Sequence, residues 1–188
     1  MSQGTDKDFI WGEIFDEAKA AKEQEPLLAS FLESAVLQHD QLESSLAFQL
    51  SEKLASATMP AATLRATFDE IMSEDPSIGR SARADLEAVR DRDPACTGLG
   101  LPFLYSKGFH SIQVHRLAHW LWVNDRRPLA SHLQNRMSEK FGVDIHPGAR
   151  LGWRAQHAMD PYTPSTRAVL LVSLLCIFLK FRHFFENS

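Results

Sequence analysis

The sequence has few cysteines and no excess of basic residues. Cys96 and Cys176 are the only cysteines among 188 residues, so no disulfide framework is implied and a reducing compartment is indicated. The formal net charge of -4 excludes the basic footprint that a nucleic-acid-binding protein needs. Residues 1–8 contain no basic run followed by an apolar stretch and are too acidic for a transit peptide, so we expect a cytoplasmic location.

The composition is that of an ordinary globular protein, with 44% hydrophobic and 23% charged residues. Apolar residues recur at helical spacing through most of residues 1–142 and predict a helical bundle there. The seven predicted helices cover residues 8–23, 26–36, 42–54, 64–72, 77–92, 107–124 and 129–141. The stretch from Asp93 through Gly98, Gly100 and Pro102 is predicted to be a loop.

Local signals mark several helix ends. Asp40 and Glu43 resemble a capping box for the third helix, with Asp in place of Ser or Thr. Ser77 is placed to cap the fifth helix. Gly142 is placed to end the last of the seven helices in the left-handed conformation.

Residues 143–152 follow a different pattern. Ile145 and Leu151 are six residues apart, with Pro147 and small residues between them, as in the hexapeptide repeat of a parallel β-helix. A single step cannot bury a core, because such stacks need at least about three repeats. We therefore predict a mainly α fold, in which a bundle of about seven helices precedes a vestigial start of a left-handed parallel β-helix.

The remaining residues, 153–188, form a divergent tail that contains an apolar segment. The uninterrupted apolar run from Ala168 to Leu179 is shorter than the roughly 20 residues that span a bilayer. A longer span would have to include Lys180 and Arg182, whose charges would need to reach the interface. We favour an apolar helix that packs on the bundle, or an extension with no evolved role, over a membrane anchor.

Four short motifs occur in order along the chain. They are Asp93-Pro94-Ala95, Tyr105-Ser106-Lys107-Gly108-Phe109-His110, His115-Arg116-Leu117-Ala118-His119-Trp120-Leu121-Trp122 and Val143-Asp144-Ile145-His146-Pro147. Together they resemble the N-terminal region of serine O-acetyltransferases, and the resemblance covers roughly residues 8–152. It implies that complete relatives convert L-serine and acetyl-CoA into O-acetyl-L-serine and CoA, a step of cysteine biosynthesis.

The resemblance assigns roles to two aspartates. Asp93 matches the loop aspartate that helps to bind serine, where a carboxylate can pair with the substrate ammonium group. Asp144 matches the aspartate that orients the catalytic histidine, which acts as general base on the serine hydroxyl. From the residues alone, Asp93 would be a turn former before a proline and Asp144 a solvent-facing corner residue.

The histidine base itself is not found where the resemblance places it. A Leu-Asp-His-Ala-Thr-Gly motif is expected in the next coil, but counting on without gaps reaches Ala158 and Met159 where its Asp and His should stand. His157 is the nearest histidine to this position, but it lies two residues before it. We therefore expect a family member that is truncated or frameshifted after about residue 152 and is inactive alone.

The same comparison limits the ligands and partners that we expect. The coils that bind acetyl-CoA, the co-substrate of the family, are absent, so no bound cofactor is expected. The tail that docks on O-acetylserine sulfhydrylase is absent as well. The family's N-terminal helices hold its trimers together as hexamers, so we expect a homo-oligomer. The alternative functions are a non-catalytic oligomerisation module that assembles with complete subunits and a membrane-tethered helical protein.

His115 and His119 lie four residues apart, a spacing that can bind zinc on one helix face. No third ligand is placed nearby and the Glu of a metalloprotease helix is missing, so we expect packing or hydrogen bonding and no metal. Trp120 and Trp122 are expected in the core or at a subunit interface, because the basic groove of a base-stacking platform is missing.

Overall fold

The computed structural model describes residues 8–92 and 96–151, and within these ranges it contains helices but no strand. The α-helices are α1 (Phe9–Gln24), α2 (Ala29–Leu32), α3 (Leu42–Leu54), α4 (Ala61–Glu74), α5 (Ser77–Arg92), α6 (Gly100–Tyr105), α7 (Lys107–Val123) and α8 (Arg127–Phe141). A 3-10 turn (Pro26–Leu28) precedes α2 and a π-helical stretch (Glu33–Leu37) follows it. The predicted mainly α fold is confirmed, whereas the apolar segment of the tail lies outside these ranges.

The core forms where the predicted apolar stripes meet. In α3 the leucines at every fourth position, Leu42, Leu46, Leu50 and Leu54, are fully buried. Helix α3 packs most extensively against α4. Burying one such side chain contributes about 1.5–3 kcal/mol, so this pair alone supplies a large part of the stability of the bundle. None of the helices in the described ranges combines the length and the apolar character needed to cross a membrane.

Helices α7 and α8 form a hairpin at the C-terminal end of the bundle. The turn between them contains Asp125, whose φ of 59° lies in the left-handed region, and Arg126 donates its backbone N–H to the carbonyl of Leu121. Aspartate adopts this conformation more readily than most residues. Gly142 ends α8 with a φ of 72°, as the sequence predicts. Because α7 also packs on α4, α5 and α6 and α8 packs on α3, both helices attach the hairpin to the rest of the bundle.

The segment predicted as a loop after Asp93 contains a short helix, α6, and this part of the prediction was wrong. The backbone N–H groups of Leu99 and Gly100 donate to the two carboxylate oxygens of Glu17, at 2.9 and 2.8 Å. A Cβ at Gly98 would lie 2.2 Å from a Glu17 oxygen, so the glycine admits the carboxylate. Pro102 falls in the first turn of α6, where its missing N–H costs nothing.

The capping box predicted at Asp40 and Glu43 was also wrong. The residue that precedes α3 is Gln41, and its side chain makes no capping hydrogen bond. Glu43 instead accepts hydrogen bonds from Arg83 of α5, at 2.5 and 3.0 Å. Arg83 also donates to Asp8, at 2.6 Å from Nη2, so one guanidinium joins α1, α3 and α5. The bidentate pairing of Glu43 with Arg83 is therefore more favourable than a local cap on α3.

Ser77 is the first residue of α5 rather than its cap. Its backbone N–H donates to the Oδ1 atom of Asp75, at 3.0 Å. The side chain that caps α5 is therefore the carboxylate of Asp75, two residues before the predicted cap. A negative charge at this position also suits the N-terminal end of the helix dipole.

We predict that Glu17→Gln lowers the free energy of unfolding by about 1–3 kcal/mol, because a charged acceptor of two backbone N–H groups becomes a neutral group with one oxygen. The control is Glu13→Gln on the same helix. It removes an exposed pair with Arg90 at 3.0 Å, which should change the stability by less than about 1 kcal/mol. Urea unfolding followed by circular dichroism measures both values. Equal losses in the two variants would refute the capping role of Glu17.

Candidate functional site

The hexapeptide step predicted at residues 143–152 begins as a tight turn that follows α8. Within it the backbone N–H of Ala149 donates to the carbonyl of His146 at 2.9 Å, and the N–H of Gly148 donates to His146 Nδ1 at 3.0 Å. Val143 is buried and Ile145 packs against the core of the bundle. No strand is formed in residues 143–151, so the start of a β-helix remains a prediction.

Two histidines of α7 hold this turn. The Nδ1 atom of His119 lies 2.7 Å from the carbonyl oxygen of Pro147, and the Nε2 atom of His115 lies 3.0 Å from that of Ala149. Since a carbonyl oxygen can only accept, each ring must carry a proton on the nitrogen that faces it. The four-residue spacing that could have bound zinc therefore serves hydrogen bonding, one of the two roles favoured from the sequence, the other being packing. We call these two bonds the histidine clamp.

Trp122 of α7 packs against this turn. Its ring meets the ring of His146 edge-on, with centroids 4.7 Å apart, and the guanidinium of Arg127 lies over its face at 5.3 Å. A Cβ at Gly148 would lie 3.1 Å from His146 Nδ1 and 3.2 Å from the indole Nε1, so a larger residue would require these rings to shift by a few tenths of an ångström. Trp120 and Trp122 are partly buried against the core, which agrees with the packing role predicted for them.

A buried polar network ties α7 to α5. The Oδ2 atom of Asp85 accepts from Gln113 Nε2 at 2.9 Å and from Arg116 Nη1 at 2.5 Å, while Arg116 also donates to Gln113 Oε1 at 2.7 Å. Asp85 and Gln113 are buried, and Arg116 is almost so. This network was not anticipated, because the sequence shows the spacing of Gln113 and Arg116 but not the partner on α5. It fixes the rotation of α7 and with it the histidine clamp.

Burial keeps two histidines of α7 in the neutral form. It lowers the pKa of His115 to about 4, with the nearby His119 and Arg116 adding to the effect. Burial likewise lowers the pKa of His110 to about 4, helped by the charge of Lys53. His110 lies 2.8 Å from the carbonyl of Phe103 in α6 through its Nε2 atom. Each ring therefore holds a backbone carbonyl of a neighbouring segment without carrying a charge.

Of the two aspartates singled out from the sequence, only Asp144 lies within the described residues. Asp144 lies at the start of the turn with its side chain exposed, and its Oδ1 atom accepts from Nε2 of Gln134 on α8 at 2.7 Å. Asp93 lies outside the described residues, so its role in serine binding remains a prediction. Gln134 was not singled out, since nothing in the sequence marks one polar residue on the surface of α8.

A cavity of about 340 Å³ lies beside α7 and includes both histidines of the clamp in its lining. It is lined by Asp75, Ser77, Ile78, Ser81, His115, Arg116, His119, Trp120, Val123 and Leu151. Asp144 and Gln134 are not among these residues, so the cavity is separate from the exposed carboxylate. Within the described ranges, no cluster of three or more His, Cys, Asp or Glu side chains could hold a metal ion.

These features define a helical domain that presents an exposed carboxylate on a turn fixed by its last two helices. The family model described as "Serine acetyltransferase, N-terminal" matches residues 10–114, which is more than half of the chain. The chain belongs to the serine acetyltransferase family.

Relatives with known structure and curated sequence agree with this assignment. The serine acetyltransferase of Salmonella typhimurium is 46% identical over 145 residues, which is 77% of this chain and 53% of the relative. The Neisseria gonorrhoeae enzyme, solved in complex with serine, is 51% identical with a TM-score of 0.74, covering 76% of this chain and 59% of that one. A serine acetyltransferase solved in complex with CoA is 47% identical with a TM-score of 0.75, covering 76% and 61%. The chain thus spans about half the length of its curated relatives.

We predict that the free energy of unfolding falls as the pH is lowered from 6.5 towards 4. The pKa values of His110 and His115 in the folded chain, about 4, lie below the ordinary value of 6.5, so the unfolded chain binds more protons in this window. The expected loss between pH 7 and pH 5 is on the order of 2 kcal/mol for each ring. Burial also lowers the pKa of His39, which adds a loss of the same sign.

The variant that checks this prediction is His115→Gln, which keeps a side-chain donor but does not titrate. Urea unfolding at a series of pH values should show a clearly weaker pH dependence for the variant than for the wild type. An unchanged dependence would show that His115 is not held neutral in the folded chain.

Proposed function

We propose that this chain is the helical N-terminal part of an enzyme that transfers the acetyl group of acetyl-CoA to L-serine. The observation that carries the proposal is the match of residues 10–114 to the N-terminal family model. The likeness to solved relatives that bind serine and CoA supports both substrates. The exposed carboxylate of Asp144 adds to this, because a residue that must meet another catalytic group cannot be buried within its own helical domain.

In the proposed reaction the serine hydroxyl oxygen attacks the thioester carbon of acetyl-CoA. A carbon–oxygen bond forms, the carbon–sulfur bond breaks and CoA leaves as the thiol. The hydroxyl proton passes to a histidine base, which Asp144 would orient and whose charged form it would stabilise, and the histidine then gives this proton to the leaving sulfur. Asp93 would pair with the ammonium group of serine and fix its position. Both assignments follow the family resemblance of the surrounding motifs.

We further propose that residues 1–188 do not catalyse the transfer alone. No Leu-Asp-His-Ala-Thr-Gly motif follows Leu151, so Asp144 has no histidine in the expected place. An aspartate without a histidine is too weak a base to deprotonate an alcohol at a useful rate.

The purified chain is therefore expected to release no CoA thiol from acetyl-CoA in the presence of L-serine. The measurement is colorimetric detection of free thiol over time, with the Salmonella typhimurium relative as the positive control. Serine-dependent thiol release by the purified chain would overturn this proposal and would show that another group serves as the base.

A second function, assembly with other subunits, is favoured by an exposed apolar surface. We define the N-terminal apolar patch as Leu27, Leu28, Phe31, Leu101 and Tyr105. Leu27 is 91% exposed and Leu101 is 62% exposed. The rings of Phe31 and Tyr105 stack with centroids 6.1 Å apart, which joins the segment around α2 to α6. Large apolar side chains gathered in this way on a surface mark sites of protein association.

We propose that the patch binds a second copy of the chain or a complete subunit of the same family. This is the surface through which the homo-oligomer expected from the resemblance would form, because the patch is made mainly by the N-terminal helices. The proposal needs no catalytic group in the chain itself, so it holds whether or not the chain turns over substrate.

Leu27→Asp should convert the oligomer into a monomer and abolish co-purification with a complete relative. The change should leave the fold intact, since Leu27 makes few contacts within the chain. Val123→Asp is the matched control, because Val123 is 59% exposed but lies at the end of α7, outside the patch. Light scattering coupled to size-exclusion chromatography gives the mass of each variant. A monomeric wild type that fails to capture the complete relative would refute the assembly function.

A further inference from the structure

Asp144 is held in place by a residue of α8 that neither the family motifs nor the sequence pattern assigned. The Nε2 atom of Gln134 lies 2.7 Å from Oδ1 of Asp144. A carboxylate can only accept hydrogen bonds, so the amide nitrogen of Gln134, and not its oxygen, must face Asp144. The donor comes from the middle of a helix whose interior is buried through Leu133 and Met137, so the position of its backbone is fixed.

The backbone of Asp144 is fixed on both sides as well. Val143 is buried before it, and Ile145 packs against the core after it. Two residues further on, the histidine clamp holds the carbonyl of Pro147 through His119. The freedom that remains is rotation of the Asp144 side chain, and the hydrogen bond from Gln134 restrains it. Among the described residues, the hydrogen bonds of this exposed carboxylate involve Oδ1 alone, so Oδ2 remains available to another donor.

We propose that Gln134 is a positioning residue that holds the Asp144 carboxylate by Oδ1, so that Oδ2 is available to a histidine base supplied from outside the described residues. A carboxylate that orients an imidazole works best when its second oxygen is itself held by a fixed donor, since the direction of the acceptor is then set before the base arrives. The inference rests on the proposed function, because Asp144 has a base to orient only in an acetyl-transfer reaction.

The neighbouring residue supplies a matched control. Asn135 also lies on α8 and its amide donates at 2.7 Å, but to Glu139 on the same helix and not to Asp144. Gln134→Glu and Asn135→Asp are both isosteric changes of amide to carboxylate on the same exposed part of α8. They should therefore affect the helix similarly and differ only in whether Asp144 loses its donor.

The experiment measures the χ1 rotamer of Asp144 in the full chain by NMR, from the three-bond couplings of its Cγ atom to the backbone nitrogen and carbonyl carbon. The wild type and Asn135→Asp are expected to show the couplings of a single rotamer. Gln134→Glu and the uncharged Gln134→Leu should shift the couplings to rotamer-averaged values. Gln134→Lys, which restores a donor of similar reach, should return them towards the wild-type values.

Wild-type couplings in both donor-free variants would overturn the inference, and so would averaged couplings in Asn135→Asp. These outcomes are independent of the acetyl-transfer proposal, because the couplings are measured without substrate. A failed turnover or assembly experiment would leave the coupling result unchanged. A failed coupling experiment would remove the role of Gln134 while leaving the family and the proposed reaction in place.

Discussion

The structure depends on one constraint, which is that α7 carries polar side chains into the interior of the bundle. His110, Gln113 and His115 are buried, and each of them needs a hydrogen-bond partner that water cannot supply. The partners are the carbonyl of Phe103 in α6, the carboxylate of Asp85 in α5 and the carbonyl of Ala149 in the C-terminal turn. The hydrogen bonds that these buried side chains of α7 require therefore fix three neighbouring segments, among them the turn that carries Asp144.

Most of the helices could be predicted because their buried faces are defined by residues close in sequence. The predictions of the loop after Asp93 and of the capping box were wrong because these features depend on residues that are distant in sequence. The leucines of α3 define its buried face by spacing alone. Helix α6 was missed because its first N–H groups are satisfied by Glu17, 82 residues before Leu99, where no local cap could reveal it. The capping box at Asp40 failed for a related reason, since Glu43 is drawn to Arg83, 40 residues further along.

In the candidate site, too, some features could be predicted from the sequence and others are seen only in the fold. The spacing of His115 and His119 indicates that they share a face of α7, and the sequence favoured packing or hydrogen bonding for them. Their acceptors, the carbonyls of Ala149 and Pro147, are backbone atoms and carry no mark in the sequence. The same holds for Gln134, which contacts Asp144 because α8 reverses the chain at Gly142 and places the carboxylate beside its own surface.

The turn that carries Asp144 owes its conformation to side chains of the helices and not to strand pairing. A coil of a β-helix is held by the coils stacked on either side of it. Here His115 and His119 bind the carbonyls of the turn, Trp122 packs on His146, and Val143 is anchored in the bundle. Within the described residues, the helical domain therefore sets the orientation of the Asp144 backbone.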